Sequence, residues 1–270
     1  MGLLTSWDDS AAWHAVRFEK VMPVGRTRPI LLDCVRGTPA RRERARLVAK
    51  GIGLPEVQPF SLAHEFLGCR LARLYGLMAP KAEIVTLSPD FLDATRGDLT
   101  AAGLRLEPGL AVGTEFIADL LPFPVPVQLA DDEIVEAAAI YLFDLLTQNP
   151  DRSLASPNCG RAGRFVVPYD FETAFSFRFA IPRLDAWRVG NLAFARTHLF
   201  HDVLRQSDVA WRAVLDRFKT VTTTSVGEVC STIPPVWAEV GEDVRTHITA
   251  VLDHWLQFEQ EITISLGTTR

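Results

Sequence analysis

The chain has 270 residues, 48% hydrophobic and 23% charged, with a net charge of −5. That balance excludes a disordered or collagen-like chain, and it argues against a nucleic-acid binder, whose footprint is a net basic face. No apolar run approaches the roughly 20 residues that span a bilayer, so no membrane association is expected.

The opening Met1–Ser6 has no basic segment and no signal-peptide core. Cys34, Cys69, Cys159 and Cys230 are far apart and read as reduced thiols, not a zinc site or disulfide frame. A cytoplasmic protein is expected.

In chain order, His14 to Val21 and Pro29 to Val35 mix aromatic and β-branched residues and read as strands. Gly25-Arg26-Thr27 joins them, and Gly37-Thr38-Pro39 marks the next turn. The mixed run Arg41, Arg42, Glu43, Arg44, Arg46 reads as a solvated loop. Arg46 to Lys50 is a short strand closed by Gly51 and Gly53. Period two sets Val48 and Lys50 on one face and Leu47 and Ala49 on the other.

Ser61 is a good N-cap for a helix in which Leu67, Leu71 and Leu74 recur before Gly76 stops it. Lys81 to Leu87 follows as a strand. Ser88 to Leu129, with Pro122, Pro124 and Pro126, reads as a turn-rich connector carrying short strands. Asp131, Asp132 and Glu133 then favour a helix start through the macrodipole, and Ile134, Ala138, Tyr141, Leu142 and Leu145 make one apolar stripe.

After the loop at Asn149-Pro150-Asp151 and the strand Phe165–Val167, the rest reads as helix. The expected helices are Asn191 to Arg205, Val209 to Phe218, and one long amphipathic run after Pro234-Pro235. The fold class expected is α+β in a two-lobe layout. A strand-rich amino-terminal lobe covers about residues 1–90, a hinge or connector about 91–130, and a helical carboxy-terminal lobe about 131–270.

The segment with chemical content runs from Leu145 to Phe171. It sets a polar loop with Asp151 after a helix, an amide at Asn158, a short strand, and Asp170 just past that strand. Phosphoryl transfer from a nucleotide needs such groups. One carboxylate orients or deprotonates the attacking hydroxyl, while a second carboxylate and an amide oxygen hold Mg²⁺ against the phosphates. Asx residues also populate loops because they cap and turn, so the pattern alone leaves both readings open.

The stretch Phe143-Asp144-Leu145-Leu146-Thr147-Gln148-Asn149-Pro150-Asp151-Arg152 resembles the catalytic loop of the HipA-like kinases, in which a helix ends in Asn-x-Asp. Tyr169-Asp170-Phe171 is similar to that family's metal-binding segment. Glu65 to Pro80 resembles its amino-terminal helix, opened by a Glu, and Lys50 and Gly25-Arg26-Thr27 fall where the family has its phosphate lysine and phosphate-side loop.

The resemblance implies an ATP- and Mg²⁺-dependent phosphotransferase acting on a hydroxyl, with protein serine or threonine the first choice and a small molecule open. It implies Asp151 as base, with Arg152 bracing the loop or a phosphate. Lys50, Glu65, Gly25, Arg26 and Thr27 would bind nucleotide, and Asp170 and Asn158 the metal. The sequence departs from the family at Ser156, where an Asn is usual; the next amide, Asn158, lies two residues further on. With Gly25 the lone glycine of the phosphate loop, a nucleotide-binding pseudokinase is the alternative. His198 and His201, three apart, read as a surface-helix pair with no third ligand at metal spacing except Asp202.

Overall fold

A computed structural model describes residues 12–267 apart from 24, 39, 124–126 and 183. The opening segment Met1–Ser6, the turn residue Pro39 and two of the connector prolines, Pro124 and Pro126, therefore lie outside the described residues. The first five strands form a closed barrel in the order β1-β2-β3-β5-β4. They are β1 (Trp13–Val21), β2 (Ile30–Arg36), β3 (Glu43–Gly51), β4 (Ala82–Leu87) and β5 (Gly109–Glu115).

Strands β1 to β3 are an antiparallel meander, with Leu32 opposite Leu47 and Ile30 opposite Ala49. β5 continues the sheet beside β3, pairing Val112 with Lys50, and β4 closes it through a short parallel contact of Trp13 with Val85. Alternation sends Leu47 and Ala49 into the barrel with Ile30, Leu32, Cys34, Val85 and Ala111, all buried. Lys50 leaves by the other face. At Gly113 a Cβ would come within 2.9 Å of both Leu47 Cβ and Val85 Cγ2, so the strand crossing there has room only for glycine.

The mixed-charge run is not all loop, because Glu43 to Arg46 already belong to β3. The segment read as connector holds more regular structure than expected. It contains α2 (Pro89–Ala101), capped by Ser88, whose hydroxyl accepts from Phe91 N at 3.2 Å, and the barrel strand β5. Helix α1 (Pro59–Leu74) begins earlier than expected, with Gln58 as N-cap and Pro59 in the first turn. Ser61 sits three residues in, where its hydroxyl accepts from Gln58 N at 3.1 Å. Gly76, at φ +76°, ends the helical segment as expected.

A second sheet is small: β6 (Leu121–Pro122), β7 (Cys159–Ala162) and β8 (Phe165–Pro168), with Gly163 at φ +60° in the β7–β8 turn. It lies against α3 (Asp131–Thr147), a helix buried on every side from Ala137 to Thr147. The carboxy-terminal helices are α4 (Ala193–Thr197), α5 (His201–Gln206), α6 (Trp211–Lys219), α7 (Thr223–Ser231), α8 (Ala238–Asp253) and α9 (Trp255–Ser265).

Two helices expected to be continuous are each broken. His198 leaves helical geometry at ψ 142°, separating α4 from α5, and His254 separates α8 from α9. The short α7 carried too little periodicity to be recognised. The last helix is tied to α3 by Tyr141, whose hydroxyl donates to Ser265 Oγ at 2.9 Å. The result is a mixed α and β fold. No helix among the described residues is long and apolar enough to cross a membrane.

Candidate active site

Lys50, at the end of β3, is buried and meets three carboxylates. Its Nζ donates to Asp170 Oδ1 at 2.5 Å and Glu172 Oε2 at 2.9 Å, and reaches Glu65 Oε2 at 3.3 Å. Burial opposes the ammonium charge, but Glu65, Asp170 and Glu172 together outweigh it and hold the Lys50 pKa well above its ordinary value. The Glu65 and Glu172 pKa values are raised as well, against their charged forms: burial outweighs the pull of Lys50 on both carboxyls. Three carboxyl groups face one ammonium here, a formal excess of two acids around this lysine.

Helix α1 positions Glu65, and the same Oε2 also accepts the backbone N–H of Phe171 at 2.9 Å. The contact fastens the segment that carries Asp170 to α1. Asp170 itself has φ +60°, a left-handed conformation that turns its carboxylate back toward Lys50. Phe171 is fully buried and lies over Gly68, where a Cβ would come within 2.3 Å of the Phe171 Cβ. One turn of α1 thus presents a carboxylate to the Phe171 backbone and an empty surface to its side chain.

The loop after α3 is built on a buried ion pair. Gln148 ends the helix in a left-handed conformation, φ 48° and ψ 55°. Asn149 then folds back: its N–H donates to Asp144 O at 2.8 Å and its Nδ2 to Asp144 Oδ1 at 3.0 Å. Its Oδ1 accepts from Thr173 Oγ1 at 3.1 Å, linking the loop to the Asp170 segment. Asp144 Oδ2 takes Arg152 Nε at 2.5 Å and His198 Nε2 at 2.9 Å, and all three side chains are shut off from solvent. Burial works against the Asp144 charge, but Arg152 and His198 prevail and lower its pKa. Since the Phe200 N–H donates to His198 Nδ1 at 3.1 Å, the His198 proton sits on Nε2 and the ring is neutral; burial lowers its pKa accordingly.

One sequence reading is narrowed here, to the loop-bracing role of Arg152, and one is corrected. Arg152 is completely buried and committed to Asp144 and to the carbonyls of Asn158 and Tyr169, so it positions the loop and is not free for a phosphate. His198 and His201 are buried, not on a surface helix, because the chain turns between them and carries His198 inward to Asp144.

Asp151 is the acid left half-buried at the tip of the loop. Asn158 turns its Nδ2 to Asp151, donating to the carbonyl at 3.1 Å and to Oδ2 at 3.0 Å. Its NH₂ end is thus spent on Asp151, which leaves the amide oxygen as the end free of that contact. The offset from Ser156 is taken up by a left-handed Asn158, φ 43°, followed by β7. Ser153 and Ser156 form a turn beneath it, with Ser153 N donating to Ser156 O at 3.0 Å. Burial raises the Asp151 pKa, Asn158 opposes the rise, and the Asp170 charge adds to it.

Of the phosphate-side loop, Gly25 holds φ +111°, a conformation suited to glycine, and Thr27 is buried. Arg26 is exposed, 3.8 Å from Glu56, and close enough to Asp151 for its charge to lower that carboxyl's pKa. The structure therefore brings Lys50, Glu65 and Asp170 into direct contact and sets Asp151, Asn158 and Arg26 beside them. Sequence reasoning missed Asp144, Gly68 and Glu172. Asp144 had a visible signal, an acid inside an apolar helical stripe.

The residues fit magnesium and a nucleotide triphosphate. Among the described residues no group of three or more His, Cys, Asp or Glu forms an all-protein metal cage. Mg²⁺ does not require one, since it binds through one or two carboxylates with waters and substrate phosphates. The excess of carboxylates around Lys50 suits a divalent cation, and the Asp170 side chain is partly open to solvent.

No curated protein matches the sequence significantly. A crystal structure of the Helicobacter pylori proinflammatory kinase CtkA is similar in fold, with a TM-score of 0.56 and 12% identity, covering 94% of this chain and 97% of that one. A family model described as HipA-like kinase matches residues 41–263, a span that runs from the base of β3 into α9 and includes Lys50, Glu65, Asp151, Asn158 and Asp170. With the match covering most of the sequence and nearly all of the site, the chain belongs to the HipA-like kinase family.

Proposed function

We propose that this protein is an ATP-dependent phosphotransferase with two lobes, the barrel and the helical part, and that nucleotide binds in the cleft where Lys50 meets Asp170. The observation that carries the reading is that contact: a barrel lysine bonded at 2.5 Å to the carboxylate that follows β8, with Asp151 alongside. Bound Mg²⁺ would neutralise phosphate charge. Asp170 would be its carboxylate ligand. Asn158 supplies an amide oxygen, since its NH₂ end is already held by Asp151.

Lys50 meets the nucleotide phosphates, held by Glu65, and Arg26 approaches them from the loop above. Asp151 accepts the proton of the attacking hydroxyl as the γ-phosphorus–oxygen bond forms and the bond to the ADP oxygen breaks. A raised pKa makes Asp151 a better base than an ordinary aspartate. The acceptor in this reading is a protein serine or threonine. A cytoplasmic setting accords with four cysteines that are free and buried.

A pseudokinase that binds nucleotide without turnover is the second reading, favoured by Ser156 at the usual Asn position. Calorimetry with ATP, with and without Mg²⁺, tests the first half of the proposal. Wild-type protein should bind ATP more tightly with Mg²⁺, and Asp170→Ala should lose that gain while keeping its melting temperature. An Asp170→Ala variant with undiminished Mg²⁺ dependence removes Asp170 from the site.

A further inference from the structure

Glu172 has no assigned part in the chemistry above, yet it is one of the two acids nearest Lys50. Its Oε2 lies 2.9 Å from Nζ, closer than Glu65 at 3.3 Å. Nor is it a loose surface acid. Its side chain is mostly buried, and its backbone carbonyl accepts His64 Nδ1–H at 3.1 Å, from the α1 residue that precedes Glu65. His64 Nε2 in turn accepts from Arg178 at 3.3 Å, and Arg178 Nε bonds Asp243 of α8 at 2.9 Å. Glu172 is therefore fixed from the side of α1 and aimed at the ammonium.

Glu65 and Asp170 already give Lys50 two counter-charges, so a third is not needed to keep a buried lysine ionised. It does alter what happens when phosphates arrive. The phosphates must draw the ammonium away from Glu172, and they enter a site in which the unpaired carboxylate charge has grown by one. Both effects oppose nucleotide binding, and both come from the same carboxylate.

We infer that Glu172 is a positioning residue that competes with nucleotide phosphates for Lys50 and lowers the protein's affinity for ATP. The inference rests on the nucleotide-binding reading of this site. It differs in sign from two other roles Glu172 could have. A metal ligand, when neutralised, weakens binding only with Mg²⁺. A residue that aims Lys50 at phosphate weakens binding with or without it.

The test is ATP titration of the full chain by calorimetry, with and without Mg²⁺, for wild type, Glu172→Gln and Glu172→Asp. Glu172→Gln keeps the shape and the backbone carbonyl held by His64, and removes only the charge. It should tighten ATP binding about three- to tenfold in both conditions, as expected for one like charge removed at short, partly screened range. Glu172→Asp keeps the charge and should stay within about twofold of wild type, a difference too small to be a lost charge interaction. Equal or weaker binding by Glu172→Gln, while wild type binds, overturns the clamp and leaves the nucleotide reading intact. Absence of ATP binding by all three proteins overturns both.

Discussion

Gly68 is the position at which packing and chemistry are most tightly joined, and Gly68→Ala separates two opposing effects. By helix propensity alone alanine should stabilise α1, by about 1 kcal/mol. The structure predicts the reverse. The new methyl would stand 2.3 Å from Phe171 Cβ and 2.7 Å from its Cγ, against a fully buried ring that also packs on Phe143. Neither contact is with the free end of a flexible side chain, so α1 or the Phe171 segment must move. Overpacking costs about 1–3 kcal/mol, and contacts this short belong in the upper part of that range, about 2–3, leaving a net loss of about 1–2 kcal/mol after the propensity gain of about 1. For a chain of this length that lowers the melting temperature by about 2–4 °C.

The movement falls on the residue next to Asp170, whose neighbour's N–H is held by Glu65. Mg²⁺-dependent ATP affinity should therefore drop by about tenfold or more, beyond what a modest loss of stability explains. Thermal unfolding and calorimetry on the same preparation check both arms. A variant that melts at or above wild type with unchanged nucleotide affinity refutes the packing argument.

Other perturbations test the rest of the frame. Asp144→Ala leaves Arg152 charged, buried and without its carboxylate partner, so urea unfolding should show a loss of about 3–5 kcal/mol; a loss under 1 kcal/mol would show that the pair does not hold the loop. His247 is buried, stacked on Phe177 at 3.7 Å and donating to Leu146 O at 3.1 Å, and burial lowers its pKa to about 4. The unfolded chain takes up that proton below about pH 6.5 and the folded one only near pH 4. Its stabilising effect is thus full above pH 6.5 and is lost as the pH falls toward 4, by about 3 kcal/mol at most. Denaturation curves between pH 7 and pH 4.5 should be flatter for His247→Gln than for wild type. Equal slopes would mean that His247 is already protonated in the folded state.

The parts of this architecture that were legible in the sequence are those written in local pattern. Period two in β3 put Lys50 on the face opposite Leu47 and Ala49, and the acids at Asp131 to Glu133 marked the start of α3. The barrel's closure was not legible. β5 is bracketed by turns and carries Gly109 and Gly113, and the second of these is needed only because Leu47 and Val85 cross there. α2 was hidden because its buried positions are Phe91, Thr95 and Leu99, a weak stripe interrupted by Gly97. His198 was misread for a related reason: its neighbours keep helical spacing, while its partner Asp144 lies 54 residues away. Asn158 takes its orientation from a left-handed backbone that turns its NH₂ end to Asp151, a conformation that no local pattern announces. Glu172 and Gly68 take their meaning from contacts with β3 and with Phe171, which no local pattern encodes.

Phosphoryl transfer itself is tested most directly by the rate of ADP formation at saturating Mg²⁺-ATP in wild type and Asp151→Asn. If Asp151 is the base, wild type should turn over nucleotide, by transfer to itself, an added acceptor or water. The variant should be slower by about 10²-fold or more. ATP affinity should stay within about threefold of wild type, because a base acts in the transition state and not on bound nucleotide. A wild-type protein that binds Mg²⁺-ATP and forms no ADP, or an Asp151→Asn variant that keeps the full rate, contradicts the account.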